Sequence, residues 1–247
     1  AAVSAIIRAH DPDAVIVMPG MSELSDSVLG TWLPGFVKGS GTKAFDVVNY
    51  HHIGSLDSFK SVRAQLGRTL QNLGIEDKPV WLTQTGSSSV LPFNPRHRAV
   101  HSEDSQAADV FRRVVMSWAA GDQATFWHSF SNPTDRRRSR WRGYGLKDKS
   151  GNLKAAYRAY RLLARHLASN RSVKPVLGLA PDQYGFEIIR SDGSMRWVYW
   201  GKGHVPAPSE VPAKAFTSVL PAKDGEYVWR GVADRIELSE VPVLLRN

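Results

Sequence analysis

Lys78-Pro-Val-Trp-Leu-Thr-Gln-Thr-Gly86 reads as a short buried strand that runs into a polar tip and a glycine. Val80, Trp81 and Leu82 need cover on both faces, whereas Thr83, Gln84 and Thr85 follow at once. Apolar strands that end in reactive side chains are what a parallel barrel presents at its functional face. The plainer alternative is a core strand that happens to end in polar residues.

The same grammar recurs on both sides of this stretch. Upstream, residues 45–50 form a strand ending in His51-His52, and residues 56–73 a helix with Phe59, Val62, Leu66 and Leu70 on its inner face. Further upstream, residues 14–18 read as a strand closed by Pro19-Gly20, preceded by helical residues 1–10 that Asp11-Pro12 ends. Ser22 or Ser25 caps a weak helical stretch through Trp32 and Val37. Downstream, Ser102 with Gln106 opens a helix over 105–119, residues 124–130 read as a fourth strand, and 152–168 as the last long helix.

Strands separated by crossover helices require a parallel sheet. An open doubly wound sheet is one solution, but the chain has no Gly-x-Gly-x-x-Gly turn for a dinucleotide and no Gly-Lys-Ser/Thr loop for a triphosphate. Polar residues at three successive strand ends favour the barrel. Behind residue 172 the pattern changes to short segments at 184–190, 194–200, 215–220, 227–229 and 236–245, punctuated by Asp192-Gly193, a proline-rich stretch and Asp224-Gly225. The expected architecture is a half-barrel domain over 1–171 and a small antiparallel β domain over 172–247.

Composition narrows the partners. The 247 residues carry 32 basic and 23 acidic side chains, a net charge of +9, and no cysteine, which excludes disulfides and thiolate chemistry. Neither a membrane-length apolar run nor a leader pattern is present in the sequence. Part of the positive excess is local, in Arg136-Arg-Arg-Ser-Arg-Trp-Arg142, which reads as a solvated loop or as a loop for an anionic ligand. Nucleic acid is not expected, because no helix-turn-helix, zinc-finger or stacking-sheet signature accompanies it. His51, His52, His97, His101 and His128 suit zinc as residue types but lack close ligand spacing, so no metal and no cofactor is expected.

Asp11-Pro-Asp-Ala, Phe45-Asp-Val-Val-Asn-Tyr-His-His52, Lys78 to Gly86, Phe126-Trp-His-Ser-Phe130, and Tyr144-Gly-Leu-Lys-Asp followed by Gly151-Asn-Leu-Lys-Ala-Ala-Tyr-Arg-Ala-Tyr160 occur in an informative order. Together they resemble the second half of the retaining glycoside hydrolases built on a (β/α)8 barrel, nearest the β-xylosidase and α-L-iduronidase group. The resemblance implies barrel strands five to eight at 14–18, 45–50, 80–83 and 124–130, with a small β-sandwich-like domain behind them. It implies a partner too, a second polypeptide supplying strands one to four, since a lone half barrel would leave unpaired edges and an uncovered apolar interior. A polysaccharide ligand is implied, and an extracellular or periplasmic setting is expected.

By the same resemblance Gln84 stands where the family has its nucleophile glutamate, and the acid/base glutamate lies at the end of strand four, outside this chain. An amide cannot form a glycosyl ester. The protein therefore reads either as a hydrolase inactive as given, whether Gln84 was introduced or arose naturally, or as a non-catalytic carbohydrate-binding or structural subunit. Asn49, Tyr50, His51 and His52 are expected to contact the sugar or orient residue 84, with at most one of the two histidines facing the cleft because adjacent strand side chains point opposite ways. Trp127 is expected to stack under a pyranose or to sit in the core, with His128 beside it. Arg136 and Arg140 are expected to bind an acidic sugar's carboxylate.

Overall fold

The computed structural model describes residues 2–90, 102–132, 142–209, 211, 215–220, 227–231 and 234–247. The chain packs as two compact units, one of Ala1–Thr85 with Ala120–Trp127 and one of Gly86–Ala119 with His128–Asn247. The boundary read from the sequence at 171/172 lies inside the second unit.

The first unit carries a three-stranded parallel sheet in the order β1-β2-β3, formed by β1 (Val48–His52), β2 (Val80–Thr85) and β3 (Ala124–Trp127). Around it are helices α1 (Ala2–His10), α2 (Leu33–Ser40), preceded by a π-helical turn over Val28–Trp32, and α3 (Leu56–Asn72). Ser55 caps α3 by accepting the Ser58 N–H at 3.3 Å. Phe59, Leu66 and Leu70 are its buried stripe, and Gly74 ends the segment at a positive φ of 63°. Tyr50 donates to Asp122 at 2.6 Å, and Asp122 also accepts from Arg63 of α3 at 2.7 Å. Val48, Tyr50 and His52 therefore face the helix layer.

Two sequence expectations change here. Residues 14–18 do not form a regular strand; the stretch from Val17 to Met21 runs beside β1 through isolated parallel bridges of Val17 with Val47 and of Met21 with Tyr50. The Met18 N–H reaches the Val47 carbonyl at 3.0 Å and the His51 N–H reaches the Met21 carbonyl at 2.8 Å. Between them Pro19 has no N–H to give and Gly20 no side chain to pack, so the ladder breaks. The last strand stops at Trp127 rather than residue 130. Among the described residues the sheet does not close into a barrel.

The second unit begins with α4 (Glu103–Ala119) and α5 (Ala155–Leu167), which pack on each other. An antiparallel sheet follows in the order β4-β5-β6-β10-β8, from β4 (Asn170–Pro175), β5 (Gln183–Arg190), β6 (Met195–Gly201), β8 (Ala215–Ser218) and β10 (Val243–Arg246). A separate ribbon pairs β7 (His204–Pro206) with β9 (Arg235–Glu237). One face of the five-stranded sheet buries Trp197, Tyr199 and Leu245 with Val205 and Ile236 of the ribbon. The opposite face buries Ile188, Val198 and Leu244.

The Asp192-Gly193 hairpin forms as the sequence signals, with Gly193 at φ 80°. The expected strand at 227–229 is absent, and the one at 236–245 is two strands, β9 and β10, interrupted before Pro242. The fold is thus mixed α/β with several small sheets. No helix among the described residues is long and apolar enough to cross a membrane.

Candidate functional site

The strand ends of the first unit meet at an irregularity in β2. Tyr50 pairs with Leu82, but the next residue, His51, pairs with Gln84, so β2 holds one extra residue against β1. The β2–β3 ladder shows the same slip, with Leu82 opposite Thr125 and Thr85 opposite Trp127. This is a β-bulge, and it turns Thr83 and Gln84 to the same side of the sheet. The Thr83 hydroxyl donates to the Asn49 side-chain oxygen, which fixes that side as the one carrying Asn49 and His51.

By register the face holds Asn49, His51, Trp81, Thr83, Gln84, Ala124 and Phe126. Asn49 is anchored at its other end, where its side-chain amide donates to the Met18 carbonyl at 3.2 Å. Trp81 donates its indole N–H to Gln123 at 2.9 Å, and its ring lies 6.0 Å from that of Phe126. Phe126 is 46% exposed. Gln84 is half-buried. None of these side chains is a carboxylate.

His51 and His52 take opposite sides, as strand alternation requires. His52 is buried against α3, with Nε2 at 3.2 Å from the Ser58 hydroxyl and its ring edge-on to Phe59 at 5.2 Å. His51 shares the Gln84 side, and burial lowers its pKa, leaving the imidazole neutral at pH 7. Gly20 makes room for it: a Cβ there would lie 2.5 Å from the His51 Nε2 and 3.3 Å from the Asn49 amide nitrogen. Tyr50 lies on the helix side with Asp122. Trp127 pairs with Thr85, whose hydroxyl donates to the His52 carbonyl at 2.8 Å; this register puts Trp127 on the helix side and Phe126 on the Gln84 side.

The second unit contains the segments that follow β2 and β3 in the chain. Its fixed point is the Gly143 carbonyl, which accepts from Gln106 of α4 at 2.9 Å, from Lys154 at 2.9 Å and from the Ser89 N–H at 3.1 Å. Gln106 also donates to the Ser87 carbonyl at 2.7 Å, and Lys154 to the Gly145 carbonyl at 2.7 Å. Burial pushes the Lys154 ammonium down to a pKa of about 8. His128 belongs to this unit, its ring 6.1 Å from that of Tyr144, and its carbonyl would meet a Cβ on Gly86 at 2.6 Å. Arg136, Arg140, His97 and His101 lie outside the described residues. Among the described residues no group of three His, Asp or Glu side chains is placed to hold a metal.

The face that carries Asn49, His51 and Gln84 also carries Trp81, Thr83 and Phe126, with Gly20 against His51, and the sequence reading named none of these four as site residues. The bulge has no clear sequence mark, and without it alternation assigns residues 83 and 84 to opposite sides. Gly20 read only as a strand terminator, yet the smallness of its side is what the imidazole needs.

No family model and no curated protein matches the sequence. Solved structures do match in fold. A family 39 glycoside hydrolase from the gut symbiont Bacteroides cellulosilyticus WH2 superposes with a TM-score of 0.75 at 18% identity, over 99% of this chain and 53% of its own. A glucosidase from Croceicoccus marinus gives 0.69 at 12% identity, over 100% and 62%. A monomeric beta-xylosidase from Caulobacter crescentus CB15 gives 0.60 at 13% identity, over 98% and 63%. The likeness is one of fold, to a group of glycoside hydrolases. This chain spans between about half and just under two thirds of the length of each of these three.

Proposed function

We propose that the Asn49, His51 and Gln84 face of the parallel sheet binds carbohydrate, and that Gln84 occupies the position from which a retaining glycosidase attacks. The observation that carries this reading is the bulge, which brings Thr83 and Gln84 to the side of Asn49 and His51 at the ends of parallel strands. Amide, hydroxyl and neutral imidazole groups supply both donors and acceptors for sugar hydroxyls. Trp81 and Phe126 add the apolar surface on which a sugar ring rests. On this reading residues 14–18 and strands β1 to β3 correspond to barrel strands five to eight.

A retaining mechanism needs two carboxyl groups about 5 to 5.5 Å apart, one as nucleophile and one as acid/base. Gln84 has the shape of the first without its charge, so the protein as given holds a sugar without forming the glycosyl-enzyme. The absence of any carboxylate from the described face favours the second reading, a non-catalytic carbohydrate-binding subunit. The acid/base and the remaining barrel strands would come from a further polypeptide. The exposure of Val15 (61%) in the first unit supports such a partner.

Gln84→Glu in the assembled protein separates the two readings. Hydrolysis of aryl glycosides that starts with the mutation and keeps the anomeric configuration assigns the nucleophile position. An intact fold that binds glycan but gives no turnover with Gln84→Glu leaves the protein as a binding subunit. Loss of glycan binding altogether removes both.

A further inference from the structure

One end of the antiparallel sheet gathers arginines on a single face. Arg196 of β6 and Arg246 of β10 are direct cross-strand partners, and Arg190 lies on β5 two residues beyond Ile188, which is the β5 partner of Arg196. Like charges in directly opposed positions destabilise a sheet. Arg196 is only 9% exposed. It donates to the Met195 carbonyl at 2.6 Å and to the Asn247 side chain at 3.2 Å, while its Nε, like that of Arg190, is buried with no hydrogen-bond partner among the described residues. The ion pair formed by these three arginines among the described residues joins Arg190 to Asp192, at 2.9 Å, and that carboxylate is exposed.

The cluster extends to a cavity of about 130 Å³ lined by Arg161, Leu162, Arg165 and His166 of α5 with Tyr227 and Trp229. Trp229 and His166 join the two. The Arg246 guanidinium lies 3.9 Å over the Trp229 ring, and the His166 ring is 5.1 Å from it. The Tyr227 hydroxyl is buried without a hydrogen-bond partner among the described residues. His166 is pushed down to a pKa of about 4, first by burial and then by Arg196, Arg246, Arg190 and Arg165. At neutral pH the imidazole carries no charge of its own amid these cations.

We propose that this cluster is an oxyanion site that takes a sulfate or carboxylate group carried on a sugar ring, distinct from the Gln84 face. Guanidinium and phenol groups supply donors, and an oxyanion supplies only acceptors, so the groups left unpaired among the described residues and the clustered positive charge are satisfied together. Trp229 and Tyr227 give the sugar ring an apolar flank. The oxyanion part stands on this geometry alone; the sugar part rests on the carbohydrate reading above.

The test is calorimetric titration of the protein with sulfated maltohexaose, hexagalacturonate, neutral maltohexaose and a duplex DNA of matched charge. Arg161 and Arg165 are exposed, so Arg161→Gln/Arg165→Gln keeps the fold. It is expected to weaken binding of an anionic hexasaccharide by tenfold or more, while Lys38→Gln/Lys43→Gln, which removes the same charge elsewhere, leaves it unchanged. Saturation with the anionic glycan should also raise the His166 titration midpoint, read by NMR. Equal loss in both double variants, no binding of either anionic glycan, or tighter binding of the DNA overturns the proposal. Neutral-glycan binding at the Gln84 face without anionic binding overturns this site and spares the earlier reading; anionic binding at this site without any neutral-glycan binding does the reverse.

Discussion

Gly20 sets how much room His51 has. A methyl group there would press on the far end of the imidazole, a flexible group, rather than on backbone. Gly20→Ala should therefore cost less than about 1 kcal/mol in stability while moving the ring and weakening glycan binding by about tenfold, or ~1.4 kcal/mol. Urea denaturation and calorimetry on the same variant check both halves. Asp122 shows the contrasting case of a residue that holds structure: it is 4% exposed and accepts from both Tyr50 and Arg63. Asp122→Ala leaves the Arg63 charge without its partner and should lower stability by about 3–5 kcal/mol, whereas Tyr50→Phe, which removes one hydrogen bond, should cost about 1 kcal/mol.

His166 gives the first residue-level pH dependence. Its folded pKa of about 4 lies below the ordinary 6.5, so between those values the unfolded chain binds the proton and the folded protein does not. Stability falls as pH drops through that window and is constant in this respect below it. His166→Gln should flatten the slope of unfolding free energy between about pH 6.5 and about pH 4; a slope unchanged by the substitution would refute the assignment.

At the scale of elements, the long periodic helices and the central strands were legible in the sequence because burial and period agree. The stripe of Phe59, Leu66 and Leu70 and the glycine after it locate α3 to within a residue or two. β4 was not legible: Asn-Arg-Ser-Val-Lys-Pro has neither alternation nor apolar content, and it is a strand because β5 pairs with it along the sheet edge. Residues 14–18 were apolar enough for a strand, yet Pro19 and Gly20 limit their pairing to bridges. In the candidate site the histidine alternation was readable, and the bulge that sends Gln84 to the side of His51 was not, since a bulge is a property of two strands in register.

Loops can be tested at the same scale. Gln106 and Lys154, placed by α4 and at the entry to α5, share the Gly143 carbonyl and hold the backbone of residues 86–90 and 142–146. Lys154→Met keeps the bulk and removes the donors to the carbonyls of Gly143 and Gly145. It should cost about 1–3 kcal/mol, with the largest loss of hydrogen-exchange protection in residues 142–146. A protection map unchanged in that segment would show that the lysine is not what fixes it.

For the whole molecule, the glycoside-hydrolase fold is shared over nearly all of this chain with proteins of which it spans 53–63%. Val3, Ile6 and Ile7 of α1 are exposed at 70%, 62% and 39%, and they share the first unit with exposed Val15. Apolar surface of that kind in water favours association. If the proposed partner exists, sedimentation of the chain alone should show concentration-dependent self-association that the complementing polypeptide suppresses, and Ile6→Ser should weaken both. Monomeric behaviour at all concentrations would count against the proposed partner.

The most direct measurement is NMR titration of the labelled protein with neutral xylo- and gluco-oligosaccharides, following the Gln84 side-chain amide, the Trp81 indole N–H and the His51 imidazole. Saturable shifts at all three with one common dissociation constant are expected, together with their loss in Gln84→Ala and His51→Ala. Shifts confined to other parts of the protein, or no saturable shift with any oligosaccharide, would contradict the carbohydrate reading of this face.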